Sequence, residues 1–195
     1  MAGILSVSQI QGLATSATPT TVEIASGHKL SGAAGSIVAP GQVIQTLTAA
    51  KLDVFSTTSQ SYVDIPNMTI TITPSSTSSK ILFSWNLAYG INGDIAHAYI
   101  MAMRGSTNLL VAAADGQQRT EATHVLNSFG GSGTQHIVNG VFLDSPSTTS
   151  ATVYKLQLKS SNGTAIYINR SGRDNNAAAY DGRGTSSMLV QEIAG

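Results

Sequence analysis

Cysteine is absent from the 195-residue chain, which excludes a disulfide framework, a thiolate nucleophile and a cysteine zinc site. Charged residues are scarce as well, at 10% of the chain against about 25% in an average globular protein. Ten basic residues balance ten acidic ones, so the chain lacks the basic excess that releases phosphate counterions, and we expect no nucleic-acid partner. A weakly charged surface is poorly protected against association, which is typical of a protein covered by partners.

Long hydrophobic runs are also missing. No stretch reaches the roughly 18–20 apolar residues that span a bilayer, so we expect no membrane insertion. The first residues, MAGILSVSQIQG, contain no basic segment followed by a continuous apolar core, and this is not the pattern of a signal peptide. We therefore expect the chain to be made and assembled in a cytoplasm.

Serine, threonine, glycine and β-branched residues are abundant instead, and they favour strands and turns over helices. The clearest strand pattern is NMTITITPSSTSSKILFSWNLAYG, residues 67–90. In its first run Met68, Ile70 and Ile72 share one face; in its second, one apolar face comprises Ile81, Phe83, Trp85, Leu87 and Tyr89. Strict alternation of this kind is typical of strands with one face in a core. We predict that the two runs form a β-hairpin and that Trp85 is buried.

A second hairpin is predicted around Asn162-Gly163, a dipeptide that favours the type I′ turn. Its strands would be Tyr154–Lys159 and Ala165–Asn169. Other strands are predicted at Leu52–Phe55, Ser61–Ile65, Ala98–Arg104, Leu109–Ala114, Thr123–Asn127, His136–Phe142 and Met188–Ile193. Eight or more antiparallel strands at this spacing predict an all-β fold, an antiparallel sandwich or jelly roll.

The chain divides into two unlike parts near Ala39–Val43. Residues 1–42 carry only two formal side-chain charges, Glu23 and Lys29, and their short apolar steps cannot bury enough surface to offset their conformational entropy. They are either disordered, or wrapped with other copies into a stem, or docked on a partner; the stretch TTVEIASGHKLSG favours wrapping because it alternates like a strand and then turns. We predict an extended N-terminal arm or stem, 1–42, and a β-sandwich head, 43–195.

Motifs for catalysis are missing from the sequence. The four histidines form neither an HxH nor an HExxH pair, and there is no GxSxG nucleophile elbow. Five aspartates stand beside Gly, Ser or Asn, as turn-forming aspartates do: Asp94, Asp115, Asp144, Asp174 and Asp181. We expect no enzymatic activity, no cofactor and no metal site.

One loop, residues 169–184, is dense in groups suited to recognition. Its candidate contact residues are Arg170, Arg173, Asp174, Asn175, Asn176, Tyr180 and Arg183, and the same loop also contains Asp181. Arginine, asparagine and tyrosine offer directional donors and a stacking face to a glycan or a protein. The alternatives are a solvated loop, or one that clamps a neighbouring subunit through Arg–Asp pairs.

Several segments together resemble a module of tailed-phage virion proteins, especially those of marine and cyanobacterial phages. They are FSTTSQSYVDIPNMTITITPSSTSSKILFSWNLAYG, RGSTNLL, FLDSPSTTSATVYKLQLKSSNGTAIYINRS and the final SSMLVQEIAG, and the resemblance covers residues 43–195. Such proteins are described as tail-fibre-like or as virion structural proteins. Residues 1–42 resemble phage fibre stems less specifically.

The resemblance implies a homotrimeric jelly roll, similar in outline to tumour-necrosis-factor-like heads, borne on the N-terminal arm. It implies a place on the virion, either as a capsid decoration or in a fibre, with other phage virion proteins as partners. It brings no catalytic residues. Two functions stay open: a structural trimer fixed to the particle by its arm, and a head that binds a receptor or host glycan through residues 169–184.

Overall fold

The protein is an all-β sandwich in the computed structural model, which describes residues 26–27, 29, 31, 37–93, 96–113, 116, 118–128, 131–176 and 181–195. None of these residues forms a helix able to cross a membrane. The strands, in chain order, are β1 (Val43–Lys51), β2 (Phe55–Thr57), β3 (Val63–Ile72), β4 (Lys80–Ile91), β5 (His97–Arg104), β6 (Thr107–Leu109), β7 (His124–Asn127), β8 (His136–Asp144), β9 (Thr152–Ser160), β10 (Ile166–Ile168) and β11 (Ser186–Ile193).

The long strands form two antiparallel sheets. The strands that pair with each other are nested in chain order, the outermost pair being the first strand and the last. Sheet A contains β1–β11–β4–β8, with β10 and β2 continuing beside the end of β4, and sheet B contains β3–β9–β5 with β6 and β7 on the far side of β5. The pairs β1·β11, β3·β9, β4·β8 and β5·β7 lie one inside another. A long doubled ribbon therefore winds around the core and alternates between the sheets, which is the topology of a jelly roll. The fold class predicted from the sequence is confirmed.

The core lies between the sheets, and its position follows from the alternation in the strands. The buried side chains of β4 are those of the predicted apolar face, continued by Ile91, together with Ala88 on the opposite face, which is 2% exposed. The apolar face belongs to one core cluster with Met68, Ile70 and Ile72 of β3, which are buried as well. Trp85 is 4% exposed, so the prediction that it is buried is confirmed. Its ring packs 4.9 Å from the ring of Phe83 and lies against Gly140 of β8.

Both predicted hairpins are wrong. The runs of residues 67–90 become β3 and β4, but β3 pairs with β9 in sheet B and β4 pairs with β8 and β11 in sheet A. The Asn162-Gly163 turn likewise carries the chain from β9 in sheet B to β10 in sheet A. Of its two residues only Gly163 has a positive φ, 84°, whereas a type I′ turn needs both.

One strand was not predicted, and two predicted strands differ from the structure. β1 (Val43–Lys51) was not predicted, and Leu52–Val54 is the connection from β1 to β2 rather than a strand. β6 ends at Leu109, where the chain adopts φ 49° at Leu110, so the predicted strand 109–114 is wrong. At Leu110 the backbone leaves the extended region of a regular strand.

Two buried carboxylates, Glu192 and Asp144, hold separate segments of the sandwich together by hydrogen bonds. Glu192 of β11 is fully buried and accepts hydrogen bonds from Ser75 N and Oγ (2.7 Å each), Ser79 Oγ (2.7 Å) and Gln45 Nε2 (2.6 Å). It thereby fixes the connection between β3 and β4.

Asp144 of β8 joins the two sheets. It accepts bonds from Arg104 Nη1 of β5 at 2.8 Å and from the Tyr154 hydroxyl of β9 at 2.6 Å. Burial, together with the bond to Asp144, raises the pKa of Tyr154, so the phenol stays protonated as a donor.

The chain divides into two units, Met1–Ile37 and Val38–Gly195. Most of the arm predicted at residues 1–42 lies outside the described residues, and its boundary with the head stays a prediction.

Candidate functional site

The loop predicted to be a contact site leaves sheet A at β10 and returns to it at β11, and Asn169 fixes both of its ends. Asn169 is fully buried, with φ 66°. Its Nδ2 donates to Lys51 O (2.8 Å) and Asp53 O (2.9 Å), while its Oδ1 accepts a bond from Ser186 Oγ (2.6 Å). Its backbone carbonyl accepts a bond from Gly184 N at 3.1 Å. The sequence did not reveal this role, because the partners near β1 are 116–118 residues away.

Close backbone contacts hold the first part of the loop against β4. A Cβ on Gly90 would lie 2.5 Å from Arg170 O, and one on Gly172 would lie 2.7 Å from Ile91 O. Distances this short leave no room for a side chain at either position, so glycine is required on both sides of the contact. The loop is therefore packed on the sheet at residues 170–172.

The charged side chains of the loop pair with one another. Arg173 makes a two-pronged contact with Asp181, Nε to Oδ2 at 2.9 Å and Nη2 to Oδ1 at 2.8 Å. Arg183 contacts Asp174 in the same way, at 3.1 Å and 2.8 Å. Two parallel bonds of this kind are the strongest geometry for a guanidinium and a carboxylate. The loop is thus cross-linked twice within itself.

The pKa values of the two carboxylates reflect this pairing. The hydrogen bond from Arg173 lowers the pKa of Asp181, and the backbone N–H of Asn175 adds to the effect. The hydrogen bond from Arg183 lowers the pKa of Asp174. Both carboxylates stay ionised at neutral pH, so both pairs persist there.

Arg170 contacts the end of β10 rather than pointing away from the head. Its guanidinium lies 3.6 Å from the centre of the Tyr167 ring, a cation–π geometry, and its Nη1 lies 3.7 Å from Asp174 Oδ2. Of the other predicted contact residues, Asn175 donates its backbone N–H to Asp181 and Asn176 is exposed in a turn. Tyr180 lies outside the described residues.

No group of three His, Cys, Asp or Glu side chains among the described residues is placed to hold a metal ion. His97 bonds Asn127 Oδ1 at 2.6 Å through Nδ1, and His136 packs beside Tyr89 with ring centres 5.4 Å apart. His124 packs edge-on to Trp85, and burial lowers its pKa. His28 lies outside the described residues.

Sheet A presents a second surface, which the sequence did not single out. Its residues pointing away from the core form three complete rows across β1, β11, β4 and β8, and these rows are Thr46–Gln191–Leu82–Leu143, Thr48–Leu189–Ser84–Val141 and Ala50–Ser187–Asn86–Asn139. We call these twelve residues, with Ile137 beyond them on β8, the outer face of sheet A. None of them is charged, but the exposed Lys80 of β4 stands on the same side of the sheet, next to Leu82. An open groove on this face runs over β1, β11 and β4.

No family model matches the chain, and no curated protein matches it. Among solved structures, the chain is similar to one in the structure of infectious bursal disease virus, Gx strain, with a TM-score of 0.34 and 15% identity. The alignment covers 77% of this chain and 37% of the viral one, so this chain spans well under half the length of the protein it matches.

Proposed function

We propose that the chain is a non-enzymatic structural protein of a tailed-phage virion, a homotrimer attached to the particle surface as a capsid decoration or short fibre. Assembly takes place in the host cytoplasm, and the partners are further copies of the chain and other virion proteins. The resemblance of residues 43–195 to a phage virion module supports the placement on a phage particle.

One observation favours a structural function rather than receptor binding. The loop that concentrates recognition-type groups uses its charges to hold its own shape, since Arg173 and Arg183 each bind an aspartate of the same loop through two bonds. A receptor site keeps such donors for its ligand, because a buried or paired donor gains little by exchanging one carboxylate for another acceptor. The loop therefore works as a brace on the head.

Purified virions test the proposal. We expect the chain on a denaturing gel of gradient-purified particles, in a fixed copy number that is a multiple of three. Hundreds of copies per particle would locate it on the capsid, and a few dozen or fewer on the tail. Absence of the chain from particles purified away from host protein would refute the structural function.

A glycan-binding assay separates the alternative, a receptor-binding head. We expect no saturable binding of the purified chain to host cells or their surface glycans. Saturable binding that is lost in Arg173→Ala and Arg183→Ala, and retained in Lys155→Ala on sheet B, would show instead that residues 169–184 recognise a receptor.

A further inference from the structure

β8 is a long, regular strand at an edge of sheet A. It pairs with β4 from Tyr89↔His136 to Ile81↔Asp144 without a register shift, and no other strand among the described residues pairs with it. Every second residue of an edge strand directs its N–H and C=O away from the sheet, and a long edge of this kind can accept a strand from another chain. β8 therefore presents a nine-residue strand to a partner.

The other edge strands in the described part of the chain are short or irregular. β2, β6 and β7 have three, three and four residues. β3 contains Pro66, and a register shift interrupts its pairing with β9. β1 shifts register at Gln45, whose side chain donates to Thr73 O, just after β3, at 2.9 Å. Short length, proline and bulges are the means by which proteins keep edge strands from pairing with one another.

β8 has none of these features. From Ile137 to Leu143 it contains no proline and no charged side chain, and on its outer side Ile137, Val141 and Leu143 are 63%, 61% and 54% exposed. The exposed Lys80 belongs to β4, and it donates to Ser145 Oγ at 2.8 Å, just beyond the end of β8. Its charge is therefore held at the end of β8 rather than along the free side of the strand.

The inner side of β8 is also incompletely covered. Val138 and Phe142 pack against the core but are only partly buried. Between them stands Gly140, and the ring of Trp85 fills the place of its missing side chain. A strand added to β8 brings side chains directly beside Val138 and Phe142 on the same face. Extension of the sheet would thus cover apolar side chains on both faces of β8.

We propose that β8 is a pairing surface between two copies of the chain, whose β8 strands add to each other antiparallel about a twofold axis at Gly140. Sheet A then continues from one copy into the other, and backbone hydrogen bonds between the two strands supply the affinity. The proposal goes beyond the proposed function. Because a twofold contact cannot lie inside a threefold ring, in a homotrimer it joins copies that belong to different trimers.

The self-complementarity of β8 in this register identifies a second copy as its occupant. With the axis at Gly140, Ile137 of one copy lies opposite Leu143 of the other, and Val138 lies opposite Phe142. Apolar pairs of this kind, a β-branched residue opposite an aromatic one above all, stabilise antiparallel strands. An axis one residue earlier or later would place Val138 or Phe142 opposite Gly140 and lose that pair. The register at Gly140 also pairs the strand over its full length.

Charge does not oppose the contact. At the ends of the paired strands His136 of one copy lies opposite Asp144 of the other, so no like charges meet. The seven residues between them carry no charge. A second β8 therefore approaches without repulsion, and neither strand has to strip water from an ion.

Cysteine cross-linking tests the pairing and its register, and the chain has no cysteine of its own. Residues directly opposite in antiparallel strands have Cα atoms about 4.5–5.5 Å apart, within the range of a disulfide. A mixture of full-length Ile137→Cys and Leu143→Cys should form covalent dimers on mild oxidation. Neither variant alone should do so, because like positions lie about 20 Å apart along the paired strands. A mixture of Leu143→Cys with Val125→Cys, on β7 of sheet B, is the control and should give none.

A lysine on the strand tests the same contact without oxidation. Val141→Lys places two ammonium groups diagonally across the axis, about 7–8 Å apart at their strands, where they repel. We expect it to lower the sedimenting mass at micromolar concentration without changing the far-ultraviolet circular dichroism spectrum, because Val141 is exposed in the single chain. The matched control, Val125→Lys, replaces a valine of similar exposure (56%) and should sediment like the wild type. In hydrogen exchange, protection of the β8 amides should rise with protein concentration in the wild type and not in Val141→Lys.

Three results would overturn the proposal. The first is a mixture of Ile137→Cys and Leu143→Cys that yields no covalent dimer, and the second is a single variant that cross-links as well as the mixture. The third is protection of the β8 amides at every protein concentration, which would assign the edge to a segment of the same chain such as the arm. None of these results affects the virion function, which the gel of purified particles tests separately. A chain that cross-links as described and is absent from virions refutes that function alone.

Discussion

The packing of Trp85 on Gly140 allows the most direct test of the core. A Cβ built on Gly140 would lie 2.0 Å from Trp85 Cζ2, 2.3 Å from Cε2 and 2.6 Å from Cη2. Carbon atoms in contact prefer about 3.5–4.0 Å, so the indole would have to move by about 1.5 Å. Its neighbours, Phe83 at 4.9 Å and His124 at 5.8 Å between ring centres, restrict that movement. We expect Gly140→Ala to cost about 3 kcal/mol of unfolding free energy, between overpacking (about 1–3 kcal/mol) and loss of the ring (about 3–5 kcal/mol).

Urea unfolding followed by fluorescence measures this cost, because Trp85 is the only tryptophan and so reports on its own environment. Protein concentration must be held constant, since dissociation of an oligomer contributes to the transition. The control is Gly182→Ala, where an added Cβ meets nothing within 4 Å and the change should stay within about 0.5 kcal/mol. If Gly140→Ala unfolds with the wild-type free energy and an unshifted emission maximum, the indole does not lie against β8 as described.

Three further predictions concern the core, the acid response and the arm. Trp85→Ala should cost about 3–5 kcal/mol and give insoluble or unassembled protein, as judged by solubility and sedimentation; a normally folded variant would remove this residue from the core. Burial alone would raise the pKa of Glu192, but the hydrogen bonds from Ser75, Gln45 and Ser79 outweigh it and hold that pKa below its usual 4.5. The stabilisation is then complete above that value and is lost as pH falls through the lower folded pKa, so urea unfolding from neutral pH to about pH 3 should show a decline that Glu192→Gln reduces; equal slopes for the two proteins would contradict this. Deletion of residues 1–42 should leave a folded, trimeric head that no longer incorporates into particles lacking the protein, whereas equal incorporation of truncated and full-length chains would show that the head itself docks.

Side-chain direction could be predicted from the sequence, whereas strand partners could not. The alternation in residues 81–89 assigns each side chain to the core or to the outside, and the buried residues of β4 agree with it except Ala88, which is buried on the opposite face. Two consecutive strands facing each other across a sandwich show the same alternation as two strands side by side in a hairpin. The Asn162-Gly163 pair was equally ambiguous, since its glycine supplies a positive φ to the crossing between sheets as it would to a hairpin turn.

For the candidate site, composition located the charged loop but not its internal geometry. The density of arginine and aspartate in residues 169–184 was visible, and Arg–Asp pairing was one of the readings it allowed. Pairing within the loop depends on the anchor at Asn169, whose bonds reach the backbone of Lys51 and Asp53. The outer face of sheet A was hidden for a related reason. Ile137, Val141 and Leu143 alternate as core residues do, and only their exposure in the folded sheet shows that they point outward.

The nested pairing of the strands has a consequence for synthesis of the chain. β11 inserts between β1 and β4, so the centre of sheet A is missing until residues 186–193 have been made. Contacts that join such distant segments form slowly, because closing a loop of about 140 residues costs conformational entropy before any of these contacts forms. An incomplete chain consequently has no groove, since Ser187 and Leu189 are among the residues that line it. A stop codon just before β11 would leave β1 and β4 without the strand that pairs with both, so the truncated chain could not complete sheet A.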